Sequence, residues 1–153
     1  MPQWLAALVP LVTGRFAVAL LVLRVVAGLA FLHHGWGKIQ NPFGWMGPNA
    51  PFPSLLQALA AISEFCGGLA WILGLLTPLA SLGILATMTV AIWTHLSKGD
   101  PFVGLPGQPA YELAAVYWTV ALLLLLAGPG QFSLDAVLVR WLAHRNRAAL
   151  NPQ

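Results

Sequence analysis

The chain has 153 residues, of which 59% are hydrophobic and only 7% are charged, and its net charge at pH 7 is +3. Soluble domains carry about 25% charged residues, so this composition excludes an ordinary soluble protein and indicates a membrane protein. Most basic residues lie near the ends of the chain, which is typical of membrane orientation rather than of a nucleic-acid-binding surface. The single cysteine, Cys66, excludes an intramolecular disulfide and a C-x-x-C redox pair within one chain.

The N-terminal residues and the first long apolar run predict different membrane segments. Residues 1–15 carry a short apolar stripe that Pro10 interrupts, which favours a segment lying at the membrane interface. No basic start and no small-residue cleavage site precede the first long apolar run, so we expect no cleaved signal peptide. Residues 16–38 are apolar for more than the ~20 residues that a bilayer requires, and they predict the first spanning helix.

Three more apolar runs follow, at about residues 54–75, 78–97 and 110–127. Loops rich in glycine, proline and aromatic residues separate the first run from the second and the third from the fourth, whereas Thr77-Pro78 breaks the second from the third. The sequence therefore predicts an all-α membrane protein, with an antiparallel bundle of four transmembrane helices in a membrane domain at 16–130.

Residues 131–153 form the last predicted unit, a basic amphipathic helix and tail. Ser133 is a favourable N-cap, and Asp135 lies in the first turn. Apolar residues then recur with helical spacing, and three arginines lie within 140–147, which indicates a helix at the surface of anionic lipid. Since the basic residues concentrate near both termini, the positive-inside rule predicts that both termini are cytoplasmic.

Ionisable residues inside the apolar runs are the main functional signal. A charge at the bilayer centre costs about 3 kcal/mol, so it persists mainly opposite a partner or a polar cavity. Counted from the starts of their helices at about 1.5 Å per residue, Arg24 and Glu64 both reach the middle of the membrane. We therefore predict a buried Arg24–Glu64 ion pair, which either only clasps the helices together or belongs to a binding site.

A second group of ionisable residues is expected near the outer membrane face: His34, Lys38, His95, Lys98 and Glu112. On a helical wheel His34 lies at the edge of the face that carries Lys38, whereas His33 points nearly the opposite way. Glu112 also has a structural interpretation, because an acidic residue in a first turn favours the helix dipole.

From these groups the sequence gives two sets of candidate site residues. The candidate catalytic residues are His34, Glu112 and Glu64. The candidate ligand-binding residues are Arg24, Lys38, His95 and Trp71. Trp36 and Trp93 are further candidates for the wall of a ligand-binding pocket formed by these residues. No metal site is predicted.

In order and spacing, the motifs of this chain resemble those of the DoxX family of small membrane proteins. They are RVVAGLAFLHHGWGK in the first helix, EFCGGLAWILGLLTPLA in the second and third, and YELAAVYW and GPGQFSLD towards the end, and they cover Val18 to Asp135. The resemblance implies a four-helix bundle in a bacterial cytoplasmic membrane. Because relatives include a subunit associated with thiosulfate:quinone oxidoreduction and partners of oxidative-stress enzymes, it also implies quinone-linked redox or oxidative or sulfur stress metabolism.

Three functions are compatible with these residues. The first is a quinone-linked redox subunit; without a flavin motif or a cysteine pair it would need a soluble or periplasmic redox partner for catalysis. The second is a haem b protein with His34 and His95 as iron ligands. The third is a non-catalytic membrane anchor or assembly factor, or a protein that binds or transports a small solute. The partners expected are the lipid bilayer and, in a homo-oligomer, further copies of the chain; nucleic acid is not expected.

Overall fold

The computed structural model describes residues 12–150, and the side chains of residues 12–145. Over this range the fold is all-α, as predicted, with five helices and no strand. The helices are α1 (Gly14–Ile39), α2 (Ser54–Leu73), α3 (Thr77–Ser97), α4 (Glu112–Ala127) and α5 (Leu134–Leu150). Most of the predicted interfacial segment, 1–15, lies outside the described residues.

Three of the described helices, α1, α2 and α3, are long and apolar enough to cross a membrane. Helix α4 is also apolar but has only 16 residues. The ends of α1 to α4 differ from the predicted ends of the apolar runs by two residues or fewer. Helix bounds could be predicted this closely because each apolar run is closed by glycine, proline or a polar residue.

Helices α1 and α2 pack backbone against backbone through glycines. A Cβ atom built on Gly28 would lie 2.6 Å from the carbonyl oxygen of Gly68, and one built on Gly68 would lie 2.7 Å from that of Gly28. A Cβ atom built on Gly35 would lie 2.5 Å from the backbone nitrogen of Phe65. Small residues allow this approach, and the contact fixes the offset of the two helices along their axes.

The core lies between the helices and is partly aromatic. Phe31 contacts Trp71 edge to face, with ring centroids 5.5 Å apart, and it also packs against Tyr117. The indole of Trp71 donates a 3.0 Å hydrogen bond to the Ser81 hydroxyl of α3, so this buried polar group is satisfied.

The molecule has two ends with different connections. We call the end that carries segments 40–53 and 98–111 the loop end, and the end that carries segments 74–76 and 128–133 the turn end. Since consecutive helices run in opposite directions, the end of α1, the start of α2 and the end of α3 all lie at the loop end.

The start of α5 is joined to the α2–α3 turn. The Ser133 hydroxyl accepts a 3.1 Å hydrogen bond from the amide of Ala136, so it is the N-cap that the sequence predicts. The Asp135 carboxylate accepts hydrogen bonds from the backbone amides of Leu76, at 2.8 Å, and Thr77, at 2.9 Å. It thereby caps the start of α3 as well.

Candidate functional site

A side-chain ion pair lies between α1 and α2 at the loop end. Lys38 Nζ lies 2.6 Å from Oε1 and 2.7 Å from Oε2 of Glu64, and the Glu64 side chain is only 3% exposed while that of Lys38 is 25% exposed. The ammonium also lies 4.6 Å from the ring centroid of Trp45. A bifurcated, charge-assisted contact with an added cation–π interaction holds the buried carboxylate in one place.

This pair corrects the predicted Arg24–Glu64 ion pair, which does not form. Glu64 is bound by Lys38, and Arg24 instead donates hydrogen bonds to backbone carbonyls, at 2.6 Å to Phe132 and at 3.4 Å to Trp71. Arg24 is fully buried and lies at the turn end.

The physical reason is the offset between the two helices. The contact of Gly35 with Phe65 places Ile39, the end of α1, roughly level with residue 61 of α2. Helix α2 begins at Ser54, so it extends about 10 Å further towards the loop end than α1 does. Counting residues from each helix start therefore put Glu64 too deep.

A cavity of about 540 Å³ lies between α2 and α3 at the loop end, with the ion pair in its wall. Most of its lining is apolar, including Leu56, Leu59 and Val90, and polar groups come from Lys38, Glu64, His95 and a few hydroxyl and amide side chains. Pockets of about 300–1,000 Å³ with apolar walls and a few polar groups are typical of small-molecule sites.

Segment 40–53 forms one side of this cavity and is fixed by Gln57. The buried side-chain amide of Gln57 accepts a 3.1 Å hydrogen bond from the backbone amide of Met46 and donates a 3.0 Å hydrogen bond to the backbone carbonyl of Phe52. The indole of Trp45 donates a 3.0 Å hydrogen bond to the backbone carbonyl of Gln57. Trp45, Met46 and Phe52, the three residues bound to Gln57, all line the cavity. Gln57 therefore holds this loop in place beside the cavity.

A smaller cavity of about 270 Å³ reaches the same ion pair from the side of α1 and α4. Lys38, Glu64 and His95 line both cavities, and His34 and Tyr117 line only the smaller one. The His34 ring lies 6.2 Å from the ring of Tyr117. Lys38, Glu64 and His95 are thus a shared polar wall, which can be approached from two directions.

The structure brings four of the seven candidate site residues together and leaves three apart. His34, Lys38, Glu64 and His95 line one or both cavities. Glu112 is exposed in the first turn of α4 and lines neither cavity. Arg24 lies at the turn end, and Trp71 is buried in the core.

The other residues that the sequence assigns to this region lie outside both cavities. Trp36 and Trp93 are 59% and 60% exposed and line neither cavity. Their rings pack instead against Phe65 and Phe52, respectively. Lys98 is exposed and also lies outside both cavities. Haem ligation by His34 and His95, which both line the smaller cavity, stays an untested alternative.

Sequence reasoning missed Trp45, Gln57 and Asp100 at this site. Asp100 binds His95, with Oδ2 and Nδ1 2.7 Å apart. Only Asp100 had a recognisable signal, a glycine two residues after the end of α3, which predicts a tight reversal of the chain. The roles of Trp45 and Gln57 depend on the path of a loop.

Two comparisons with known proteins give a match. The DoxX family model matches residues 19–96, which include α2, all but the last residue of α3 and most of α1. The chain is also 29% identical over 124 residues to inner membrane protein YqjF of Escherichia coli (strain K12), a match that covers 79% of this chain and 92% of that protein. No solved structure matches. Because the family model covers half of the chain and includes the residues of the Lys38–Glu64 pair, the chain belongs to the DoxX family of membrane proteins.

Proposed function

We propose that this protein binds a quinone in the larger cavity and acts as a membrane subunit of quinone-linked redox metabolism, of the kind that serves oxidative or sulfur stress. The observation that carries the proposal is the position of the Lys38–Glu64 pair in the wall of an otherwise mostly apolar cavity. A quinone has the same division, with a polar head group and an apolar tail.

The proposal includes a membrane arrangement. Helices α1 to α4 span the bilayer as an antiparallel bundle in a bacterial cytoplasmic membrane, both termini are cytoplasmic, and the loop end faces outward. The 16 residues of α4 reach about 24 Å, a little less than the ~30 Å of hydrocarbon, so its flanking residues complete the span. Helix α5 lies on the membrane surface, supported by the exposed side chains of Val137 and Trp141. The name of the Escherichia coli relative agrees with an inner-membrane location.

The residues of the larger cavity fit the shape and chemistry of a quinone. Leu56, Leu59 and Val90 offer apolar contacts to a ring and tail, and the volume of about 540 Å³ is in the range for a ligand of this size. Lys38 can donate a hydrogen bond to a carbonyl oxygen, and Glu64 and His95 are groups that can accept or donate a proton beside it.

When bound, a quinone supplies the capacity to accept electrons and protons, and the protein supplies binding, orientation and proton transfer. In this role Lys38 orients the head group, and Glu64 keeps the ammonium in position with its two oxygens. The chain has one cysteine and no flavin motif, so electrons would come from a soluble or periplasmic redox protein.

The test is quinone binding by the purified protein in lipid nanodiscs that contain no quinone. A short-chain ubiquinone analogue is titrated, and binding is compared with its partition into empty nanodiscs. Lys38→Met should raise Kd at least about tenfold, because it removes the only donor of the ion pair. Lys98→Met is the matched control, since Lys98 is an exposed lysine outside both cavities.

Two results would contradict the proposal. One is a quinone signal no larger than partition into empty nanodiscs, and the other is equal affinity in the Lys38→Met and Lys98→Met variants. If in addition a partner enzyme co-purifies and stays active with Lys38→Met and Glu64→Gln variants, the chain is a membrane anchor or assembly factor instead.

A further inference from the structure

The turn after α3 carries an acidic residue back to a histidine that the proposed site uses. His95 lies in the last turn of α3, and its Nδ1 atom lies 2.7 Å from Oδ2 of Asp100. The Asp100 side chain is 14% exposed and that of His95 is 32% exposed, so the contact is largely shielded from solvent. Asp100 itself lines neither cavity.

The backbone fixes this contact through a Schellman motif at the end of α3. The amide of Gly99 donates to the carbonyl of Leu96 at 3.0 Å, and the amide of Asp100 donates to the carbonyl of His95 at 3.1 Å. Gly99 has a φ of 75°, in the left-handed region that glycine adopts without strain. The motif reverses the chain and brings the side chain of Asp100 to the imidazole of His95.

The contact bears on which nitrogen of a neutral His95 ring carries the proton. An ionised carboxylate only accepts hydrogen bonds, so Nδ1 must be the donor towards Asp100. The other nitrogen, Nε2, has no hydrogen-bond partner among the described residues. Since His95 lines both cavities, Nε2 is the nitrogen left for a ligand.

We propose that Asp100 is a positioning residue that holds His95 in the Nδ1–H form and so leaves Nε2 free for a ligand in the two cavities that His95 lines. Neutral His95 then accepts a hydrogen bond or a proton at Nε2, and the carboxylate compensates the charge of the imidazolium that forms. The other ionisable groups around these cavities are Lys38 and His34 of α1, Glu64 of α2 and Tyr117 of α4. The identity of the ligand rests on the proposed function, whereas the state of His95 does not.

The first experiment reads the tautomer directly by ¹⁵N NMR of histidine-labelled protein in nanodiscs, with His95→Gln to assign the signal. Neutral His95 should carry its proton on Nδ1 in the native chain. Asp100→Ala should move the population towards the Nε2–H form, and Asp100→Glu should restore the Nδ1–H form. A native His95 protonated at Nε2, or a tautomer unchanged in Asp100→Ala, would overturn the proposal.

The second experiment links the tautomer to binding of the short-chain ubiquinone analogue. Asp100→Ala should raise Kd roughly three- to tenfold, the effect of losing one hydrogen bond. Gly99→Ala should act in the same direction, because alanine strains the turn that places Asp100. The matched control is Gly107→Ala in the same segment, since Gly107 also has a positive φ of 83° and a Cβ there also meets nothing within 4 Å.

The two experiments separate this inference from the proposed function. If the native chain does not bind the quinone analogue, the proposed function fails, and the NMR result alone decides the role of Asp100. If the native chain binds it and Asp100→Ala changes the tautomer without changing Kd, Asp100 does not position His95 for the ligand and the inference fails.

Discussion

The two ends of the molecule both contain charged residues in a largely apolar protein, but they satisfy them differently. At the turn end, Arg24 and Asp135 bind backbone groups: Arg24 reaches the carbonyls of Trp71 and Phe132, and Asp135 accepts two amides of the α2–α3 turn. At the loop end, Lys38 and Glu64 bind each other in the wall of two cavities.

This difference suggests separate roles for the two groups of charged residues, one in folding and one in ligand binding. A charge that binds buried backbone groups is committed to the fold, because moving it leaves buried donors or acceptors without a partner. A charge that binds another side chain beside a cavity can share that partner with a ligand. We therefore expect substitutions at the turn end to act mainly on stability and those at the loop end to act mainly on binding.

The largest effect is expected for Arg24→Met. It leaves the Phe132 carbonyl without its donor and removes the hydrogen bond to the Trp71 carbonyl, in a fully buried position. A buried acceptor left without its donor costs about 1–3 kcal/mol, and loss of the second hydrogen bond adds about 1 kcal/mol, so the total is about 2–4 kcal/mol. The free energy of unfolding in mixed detergent micelles measures the loss.

Arg15→Met is the control for this variant, because Arg15 is exposed and its loss should change stability by less than about 0.5 kcal/mol. Quinone affinity of the folded Arg24→Met fraction should equal that of the native chain. Equal stability of the Arg24→Met and Arg15→Met variants would remove the distinction between the two ends.

At the loop end, Lys38→Met should cost about 1–3 kcal/mol, because it leaves the buried Glu64 carboxylate unpaired. The double variant Lys38→Met/Glu64→Gln should recover much of this stability, since neither charge is then left alone. It should still bind quinone as weakly as Lys38→Met does. Unfolding and quinone titration of the same preparations test both statements, and recovery of binding together with stability would show that the pair is only structural.

Glycine contacts near the ion pair provide a third comparison. Gly35→Ala should destabilise by about 1–3 kcal/mol and weaken quinone binding, because its Cβ would overlap the backbone of Phe65, next to Glu64. Gly37→Ala is the matched control two residues away, where a Cβ meets nothing within 4 Å. Thermal unfolding of both variants in the same detergent gives the difference, and equal midpoints would argue against a close α1–α2 contact at this level.

The smallest effect is expected for the two adjacent histidines. His34→Ala should cost about 0.5–1.5 kcal/mol, since the ring contacts Phe31 and Tyr117 edge to face. His33→Ala should change stability by less than about 0.5 kcal/mol, because His33, which is exposed like His34, makes none of these ring contacts. Chemical denaturation of the pair tests this, and a larger loss for His33→Ala would reverse the assignment of the two side chains.

Much of the fold could be predicted because it depends on local patterns. Long apolar runs closed by glycine and proline gave helix ends close to those observed, and Ser133 had the residue type and position of an N-cap. The helical wheel also distinguished His34, which lines a cavity, from His33, which does not.

Contacts between helices could be predicted only where they did not depend on how far one helix is shifted along its axis relative to its neighbour. The sequence alone determined that this is a helical membrane protein of the DoxX family and that its glycines permit close packing of α1 against α2. Only the tertiary structure decided that Glu64 pairs with Lys38 and that Arg24 belongs to the turn end. The reason is that α2 extends beyond α1 by about 10 Å, an offset set by backbone contacts at Gly28 and Gly35. This offset places Glu64 beside Lys38 instead of Arg24.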